Sequence, residues 1–428
     1  MLGTPEELAV HGGTPAVNEG IVQPWPRVAE ADKAAVMGVL ERGVLWGAAA
    51  PEAMALQEEW AAYVGTRHCL VTNSGTAALH MAVAAAGVQP GDEVITTPMS
   101  WSSTATSILH HNAIPVFADI DPATYTLDPQ QVEAKITPRT RAILPVHLYG
   151  LPADMDGIMA VAEKHGLKVI EDCCQAQAAT YNGQSVGTLG HVGAFSFNGN
   201  KNLPGGEGGA LVTDDEEAWD MAARVQQFGE RRRSDGQREY NVYGMGWMYR
   251  GTEMTNAFIR SQMTRIDETT AHIQANAAYL NKHLAGIPGL RLPHVPPNRT
   301  HVYFRYVAEF APEEAGLDVD PGTASEKVRE ALRAEGVGLG RAEFLLPRMT
   351  LFQEQEGYGR GCPWTCCYDG SIEYRPEDYP HASNAVDRVI PLMGLTPPND
   401  ESLMARYVQA FQKVFGQLER VVRQDGQE

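Results

Sequence analysis

Between residues 69 and 213, short apolar runs alternate with segments whose apolar positions recur every three or four residues. The runs are 69–72, 93–96, 114–117, 142–146, 167–170, 194–197 and 210–213, and continuous apolarity over four or five residues predicts strands buried on both faces. Segments 76–86, 103–110, 155–165 and 215–228 predict helices between them. Such alternation predicts an α/β protein with a mostly parallel sheet covered on both sides, in which ligands sit beyond the carboxyl ends of the strands. Ahead of this unit the pattern predicts an amphipathic helix over 28–40 and a second helix over 52–64, within an arm that packs over the fold or a second subunit. After it, 253–284 reads as one long connecting helix, 301–310 alternates like an antiparallel strand, and 325–336 and 401–418 read as helices. This divides the chain into an arm plus large α/β domain over 1–264 and a smaller α+β domain over 265–428. Segment 357–379, rich in Gly, Pro, Cys and aromatics, reads as irregular.

Composition narrows the partners. The chain has 428 residues, 43% apolar and 20% charged, as in soluble globular proteins of more than one domain. A net charge of -19 repels nucleic acid and anionic membrane, while leaving room for a small anion at a local patch. No run approaches the ~20 apolar residues of a membrane span, and the acidic start lacks the order of a signal peptide. Six cysteines are too sparse for a disulfide scaffold and fit a reducing cytoplasm.

Four constellations carry chemistry, each at a strand end. Asn73-Ser74-Gly75-Thr76 opens a helix, so its N–H groups and dipole offer a phosphate site, although Ser and Thr there also suit an ordinary N-cap. Trp101 follows Thr97-Pro98-Met99-Ser100 in polar surroundings and could project over a ligand ring or belong to the core. Glu171-Asp172 ends a buried strand, so at least one carboxylate faces the ligand region; an Asp there can hold a protonated pyridine nitrogen or cap a helix. Lys201 sits in a polar loop between a buried strand and Pro204-Gly205-Gly206-Glu207-Gly208-Gly209. Either it is a solvated loop lysine, or desolvation lowers its pKa and frees its amine to attack carbonyls. Together these groups match the chemistry of pyridoxal 5′-phosphate (PLP) with an imine-forming lysine.

The same residues closely resemble the DegT/DnrJ/EryC1/StrS sugar aminotransferase family of fold-type I PLP enzymes. The resemblance includes His11-Gly12-Gly13-Thr14-Pro15, Gly91-Asp92-Glu93-Val94-Ile95, Pro145-Val146-His147-Leu148-Tyr149-Gly150 and the stretch from Phe195 through Lys201 to Gly209. It implies the aspartate-aminotransferase-like fold and ping-pong transfer of an amino group, from glutamate or glutamine to a keto-sugar, keto-nucleotide-sugar or keto-cyclitol. It implies that Lys201 forms the Schiff base and moves the proton, and that Asp172 pairs with the pyridinium nitrogen. Trp101 would stack on the ring, Gln175 would flank it, and Ser74, Gly75, Thr76 and Ser196 would bind the phosphate. It also implies a homodimer whose active sites borrow residues from the partner chain; the cysteines and charge add a cytoplasmic setting with no nucleic acid or membrane partner, and no metal is expected.

One stretch departs from the family pattern. Gly246-Trp247-Met248-Tyr249-Arg250 carries Met248 where the family often has an Asn that reaches the partner's phosphate; Asn241 or Arg250 could replace it. Lys201 argues against the dehydrating branch that carries His at this position. Aromatising elimination, as in relatives that make aminohydroxybenzoate, is the alternative chemistry on this scaffold. A nucleotide-binding module would need a Walker or dinucleotide fingerprint, and neither occurs. Arg231-Arg232-Arg233 could meet an anionic substrate or form a solvated run. Cys362, Cys366 and Cys367 lack the second pair of a zinc site and read as an ordered loop near the substrate entrance.

Overall fold

The computed structural model describes residues 7–47, 49–231, 238–342 and 344–422. Seven strands form the central sheet: β1 (His68–Thr72), β2 (Glu93–Thr96), β3 (Ile114–Phe117), β4 (Thr140–Leu144), β5 (Lys168–Asp172), β6 (Val192–Ser196) and β7 (Gly209–Thr213). Their order is β1-β7-β6-β5-β4-β2-β3. All neighbours are parallel except those of β7, which runs antiparallel to β1 and β6. That exception positions the lysine. Parallel neighbours need a crossover that returns the chain to the far edge, whereas antiparallel neighbours can be joined directly. The β6–β7 connection therefore stays at the carboxyl end of β6 and presents Lys201 there.

Helices Gly75–Ala85, Ser103–His110, Met155–His165 and Glu216–Gln226 form as expected, with boundaries shifted by one or two residues at most. Trp60, on helix Pro51–Val64, meets Phe195 and Phe197 edge-on at 5.1 Å from each ring, so the strand that feeds the lysine loop is gripped from beneath. A second, three-stranded antiparallel sheet joins Leu290–Arg291, Tyr306–Phe310 and Val389–Leu392, backed by helices Pro321–Ala334 and Glu401–Phe415.

Two expectations change. The long helix over 253–284 is two helices, Glu253–Met263 and Ile266–Leu284. At the break, Arg265 leaves helical geometry, and its guanidinium holds both oxygens of buried Asp32 at 3.0 Å. The strand expected over 301–310 begins only at Tyr306, and all five of its residues are buried rather than alternating. Residues 302–305 instead run beside Tyr149 and Gly150: Val302 N–H donates to the Gly150 carbonyl (3.0 Å) and Arg305 N–H to that of Tyr149 (3.3 Å). Gly150 has φ +99°, and a Cβ there would lie 3.0 Å from Phe304 N, so only glycine permits this approach.

Segment 357–379 is built of turns pinned by aromatic side chains. Tyr374 Oη donates to the Pro115 carbonyl (2.9 Å), and Tyr368 Oη to Glu93 (2.7 Å) at the start of β2. The structure joins Cys362 to Cys366 in a disulfide, contrary to the expectation of thiols throughout, because a single turn brings their Cα atoms to 5.2 Å. Among the described residues no helix is long and apolar enough to cross a membrane.

Neighbours at the end of β5 point to opposite faces. Glu171, wholly buried, accepts from the N–H groups of Gly187 (2.8 Å), Leu189 (2.8 Å) and Gly190 (2.6 Å) and pairs with His147 Nε2 (3.0 Å). His147 Nδ1 in turn accepts from Ala153 N–H (3.0 Å), so Nε2 carries the proton and donates to the carboxylate. With Cys173 this forms a buried trio with metal-ligand atoms, but these hydrogen bonds already use its oxygens and ring nitrogens. Glu171→Ala should cost about 3–5 kcal/mol, since it strands those donors in the core, and denaturant unfolding of the apo protein checks this.

Buried His301 accepts from Tyr303 N–H at Nδ1 (3.0 Å), and burial pushes its pKa down to about 3. An unfolded histidine takes up a proton near pH 6.5, whereas the folded one does not until about 3. Its contribution is therefore intact above pH 6.5 and lost progressively as pH falls toward 3. The unfolding midpoint should fall through that window, and less steeply in His301→Asn.

Candidate active site

One cleft of about 420 Å³ opens at the carboxyl ends of β1, β2, β5 and β6. It is lined by all eight residues singled out from the sequence: Ser74, Gly75, Thr76, Trp101, Asp172, Gln175, Ser196 and Lys201. A larger groove of about 590 Å³, between helices Glu30–Arg42 and Glu253–Met263, shares none of them. Its polar lining is engaged in ion pairs of Arg42 and Arg260 with Glu52 and of Arg260 with Glu59, so it offers no comparable chemistry.

One wall is the N-terminus of helix Gly75–Ala85. Ser74 caps it, accepting from Ala77 N–H (3.1 Å), so the ordinary N-cap and the anion-facing turn are the same residue. Thr76 Oγ1 lies 2.8 Å from Ser103 Oγ. A Cβ on Gly75 would sit 2.7 Å from that of Ser196; the missing side chain lets the two turns touch.

The lysine loop is fixed through its backbone. Lys201 N–H donates to the Asn198 carbonyl (2.9 Å), and the Lys201 carbonyl accepts from Trp25 Nε1 (2.9 Å) on the N-terminal arm. Next to it, buried Asn202 Nδ2 donates to the Val302 carbonyl (2.8 Å). The loop closes where Gly205 N–H returns to the Phe197 carbonyl (2.6 Å), and a Cβ on Gly205 would collide with Ile259 at 2.5 Å. Lys201 Nζ rests 4.1 Å from the centre of the Phe304 ring.

Asp172 forms the floor. Its buried carboxylate accepts from Thr104 Oγ1 (2.8 Å) and from Cys174 N–H (3.1 Å). Thr104 spends its single proton on Asp172, so the hydroxyl of Ser100, 2.8 Å away, donates to Thr104. Burial, then the Asp172 charge, push the Cys174 thiol well above its ordinary pKa while Lys201 pulls the other way; it remains a thiol. Gln175 Oε1 accepts from Tyr149 N–H (2.8 Å), holding Tyr149 at φ +58°. Trp101 is 55% exposed at the cleft edge, its ring centre 5.5 Å from that of Phe344.

The other expectations fall elsewhere. Arg231 stacks on Tyr243 at 4.2 Å and does not line the cleft, while Arg232 and Arg233 lie outside the described residues. Met248 is 51% exposed, and its carbonyl faces Asn73 Nδ2 (3.4 Å). Asn241 and Arg250 do not line the cleft of this chain. No residue of 357–379 lines it either; the tyrosine anchors place that segment toward the starts of β2 and β3, not at the entrance. Sequence reasoning missed Ser100, Thr104, Phe304, Arg305 and Arg341, lining residues that share no local motif with the lysine, and also Asn198, which lies within the lysine's own stretch.

This sheet order, with a lysine loop between two antiparallel strands and a carboxylate on the floor, is the architecture of PLP-dependent transferases of fold type I. The chain belongs to the DegT/DnrJ/EryC1/StrS aminotransferase family, whose model matches residues 26–393, and it is an aminotransferase. An L-glutamine:2-deoxy-scyllo-inosose aminotransferase of Streptoalloteichus tenebrarius is 38% identical over 77% of this chain and 79% of its own. DesV of S. venezuelae, solved in complex with a ketimine intermediate, is 31% identical with a TM-score of 0.75, covering 92% of this chain and 95% of its own. A 3-amino-5-hydroxybenzoic acid synthase structure is 26% identical with a TM-score of 0.82, covering 94% and 100%.

Thr104→Val keeps the shape and removes the hydroxyl that Asp172 accepts from. It should lower kcat about tenfold to a hundredfold and, by leaving the buried Asp172 and Ser100 each short of a partner, cost about 1–3 kcal/mol of stability, as steady-state kinetics and thermal melts would show.

Proposed function

We propose that the cleft holds PLP and that the chain transfers an amino group from glutamine or glutamate to the ketone of a sugar or cyclitol. The observation that carries this reading is the joint placement of a pinned lysine, a buried carboxylate and a hydroxyl-lined helix N-terminus in one cleft. The donor set fits the cofactor: hydroxyls and N–H groups for its phosphate, an acid for its ring nitrogen and an amine for its aldehyde. When bound, PLP supplies an electron sink and the carbon that exchanges the amine.

Lys201 holds and moves the proton at that carbon in both half-reactions, and its pinned backbone limits the reach of Nζ. Asp172, fixed by Thr104 and Cys174 N–H, keeps a proton on the ring nitrogen. Ser74, Gly75, Thr76 and Ser196 bind the phosphate, Trp101 covers one ring face, and Gln175 orders the turn at Tyr149 beside the ring. In the first half-reaction the amino acid leaves as a keto acid; in the second the ketone leaves as an amine, so the kinetics are ping-pong.

The functional unit in this reading is a cytoplasmic homodimer of two-domain chains divided near 264/265. Exposed Trp46 (70%), Tyr240 (77%) and Met245 (80%), with Met248 next to the phosphate turn, give an apolar surface suited to a second copy. Aromatising elimination shares the scaffold of the hydroxybenzoate synthase, and product analysis separates it by an aromatic chromophore. Lys201→Ala should abolish turnover while still holding the cofactor non-covalently, read by absorbance and by borohydride labelling of the wild type alone. Retained transamination in this variant would remove Lys201 from its role.

A further inference from the structure

We propose that Cys362, Cys366 and Cys367 form a three-sulfur site for a thiophilic metal ion, Zn²⁺ or Cu⁺, open when the Cys362–Cys366 disulfide is reduced. The site stands apart from the transamination reading, since none of these residues lines the lysine cleft.

Two overlapping turns build it. Thr365 N–H donates to the Gly361 carbonyl (2.9 Å) and Cys367 N–H to that of Pro363 (3.1 Å), while Thr365 Oγ1 donates to the Arg360 carbonyl (2.8 Å). Such winding places residues four apart on one side, and the Cα atoms of Cys362 and Cys366 stand 5.2 Å apart. Cys367 follows directly, with its Sγ 3.2 Å from that of Cys366, and all three Sγ atoms lie within 4.8 Å of one another. Sulfurs held at about 2.3 Å by one ion stand about 3.8–4.0 Å apart, within that span, and the spacing of Cys362 from Cys366 is ordinary for a ligand pair. The turns are held from outside. Trp364 Nε1 donates to Tyr374 Oη (3.1 Å), whose own proton goes to the Pro115 carbonyl, and Tyr368 is tied to Glu93. The sulfurs are thus positioned between aromatic anchors before any ion arrives. Among the described residues one other cluster brings three ligand atoms together, and there burial and hydrogen bonds occupy His147 and Glu171. Here Cys366 is exposed and Cys362 and Cys367 are partly so, which leaves an ion a path in.

The donor set identifies the ion. Three sulfurs without imidazole or carboxylate select Zn²⁺ or Cu⁺ over the oxygen-seeking Mg²⁺, Ca²⁺ and Mn²⁺. The sequence suggested no metal because a second cysteine pair is missing; three converging sulfurs make that pair unnecessary. Redox state opens and closes the site. A low-molecular-weight thiol, RSH, attacks Cys366 Sγ as its thiolate; the Cys362–Cys366 bond breaks, and Cys362 leaves as a thiolate and takes up a proton. A second RSH attacks the mixed disulfide, freeing Cys366 and giving RSSR, so the two small thiols supply both electrons. The ion then displaces the protons of the three thiols.

The test uses the full chain, reduced anaerobically with a phosphine, which brings no sulfur of its own. Co²⁺ serves as the spectroscopic stand-in for Zn²⁺, and Cu⁺ is titrated against a chromophoric chelator. Reduced wild type should bind one equivalent, with a thiolate-to-cobalt charge-transfer band that Zn²⁺ bleaches. Cys362→Ser, Cys366→Ser and Cys367→Ser should each weaken binding about a hundredfold, and the disulfide form should bind as weakly as these variants. Displacement of Zn²⁺ by equimolar Cu⁺ would assign the site to copper, and its failure to zinc. Alkylation of the reduced wild type with iodoacetamide, followed by peptide mass mapping, needs no variant to fold: Zn²⁺ should protect Cys362, Cys366 and Cys367 together. A missing band in the reduced wild type would overturn the site. So would a band unchanged in the triple serine variant, or protection confined to Cys69, Cys173 and Cys174.

Discussion

The period of two at the end of β5 is the constraint on which the cleft depends. Glu171 and Asp172 are adjacent carboxylates and both buried, yet they serve different structures. Glu171 turns away from the cleft and gathers the turn over 187–190 and His147 into the core. Asp172 turns into the cleft, where a hydroxyl chain and one amide orient it. A one-residue slip of this strand would exchange the two and lose both. The backbone alternation thus separates a carboxylate that stabilises from one available for chemistry, although both carry the same functional group.

The central sheet was legible because each strand is a short continuous apolar run and each crossover helix has its own period. The phosphate turn, the floor carboxylate and the lysine were legible because each follows a strand end, and topology brings strand ends together. What stayed hidden depends on contacts between distant segments. Thr104 looks like any other polar residue of the Ser103–His110 helix until Asp172 is seen beside it. Phe304 and Arg305 lie in a stretch whose alternation imitates a strand; Gly150 at φ +99° draws the backbone out of that path and against the lysine loop. The break at Arg265 was likewise invisible, because the partner that pulls it out of the helix is Asp32, 233 positions earlier.

The motif from Pro145 to Gly150 therefore acts at one remove. It contributes no side chain to the lining, but Tyr149 and Gly150 accept the N–H groups that steer residues 302–305, and Gln175 holds Tyr149 from the other side. The wall opposite the phosphate turn is in this sense built by backbone groups, and the side chains that line it inherit their positions.

Trp25 closes the account of Lys201 from an unexpected direction. The arm that carries it is anchored through Ala9 and Ala16 to Glu335 and through Gln23 to Asn399. Those anchors leave the ribosome hundreds of codons after the arm itself. The arm thus settles only once those distant residues are in place, and the tether it gives the reactive loop waits on them. A nascent chain stalled before Asn399 would carry every residue of the cleft and still lack one of the anchors of the arm that steadies its lysine.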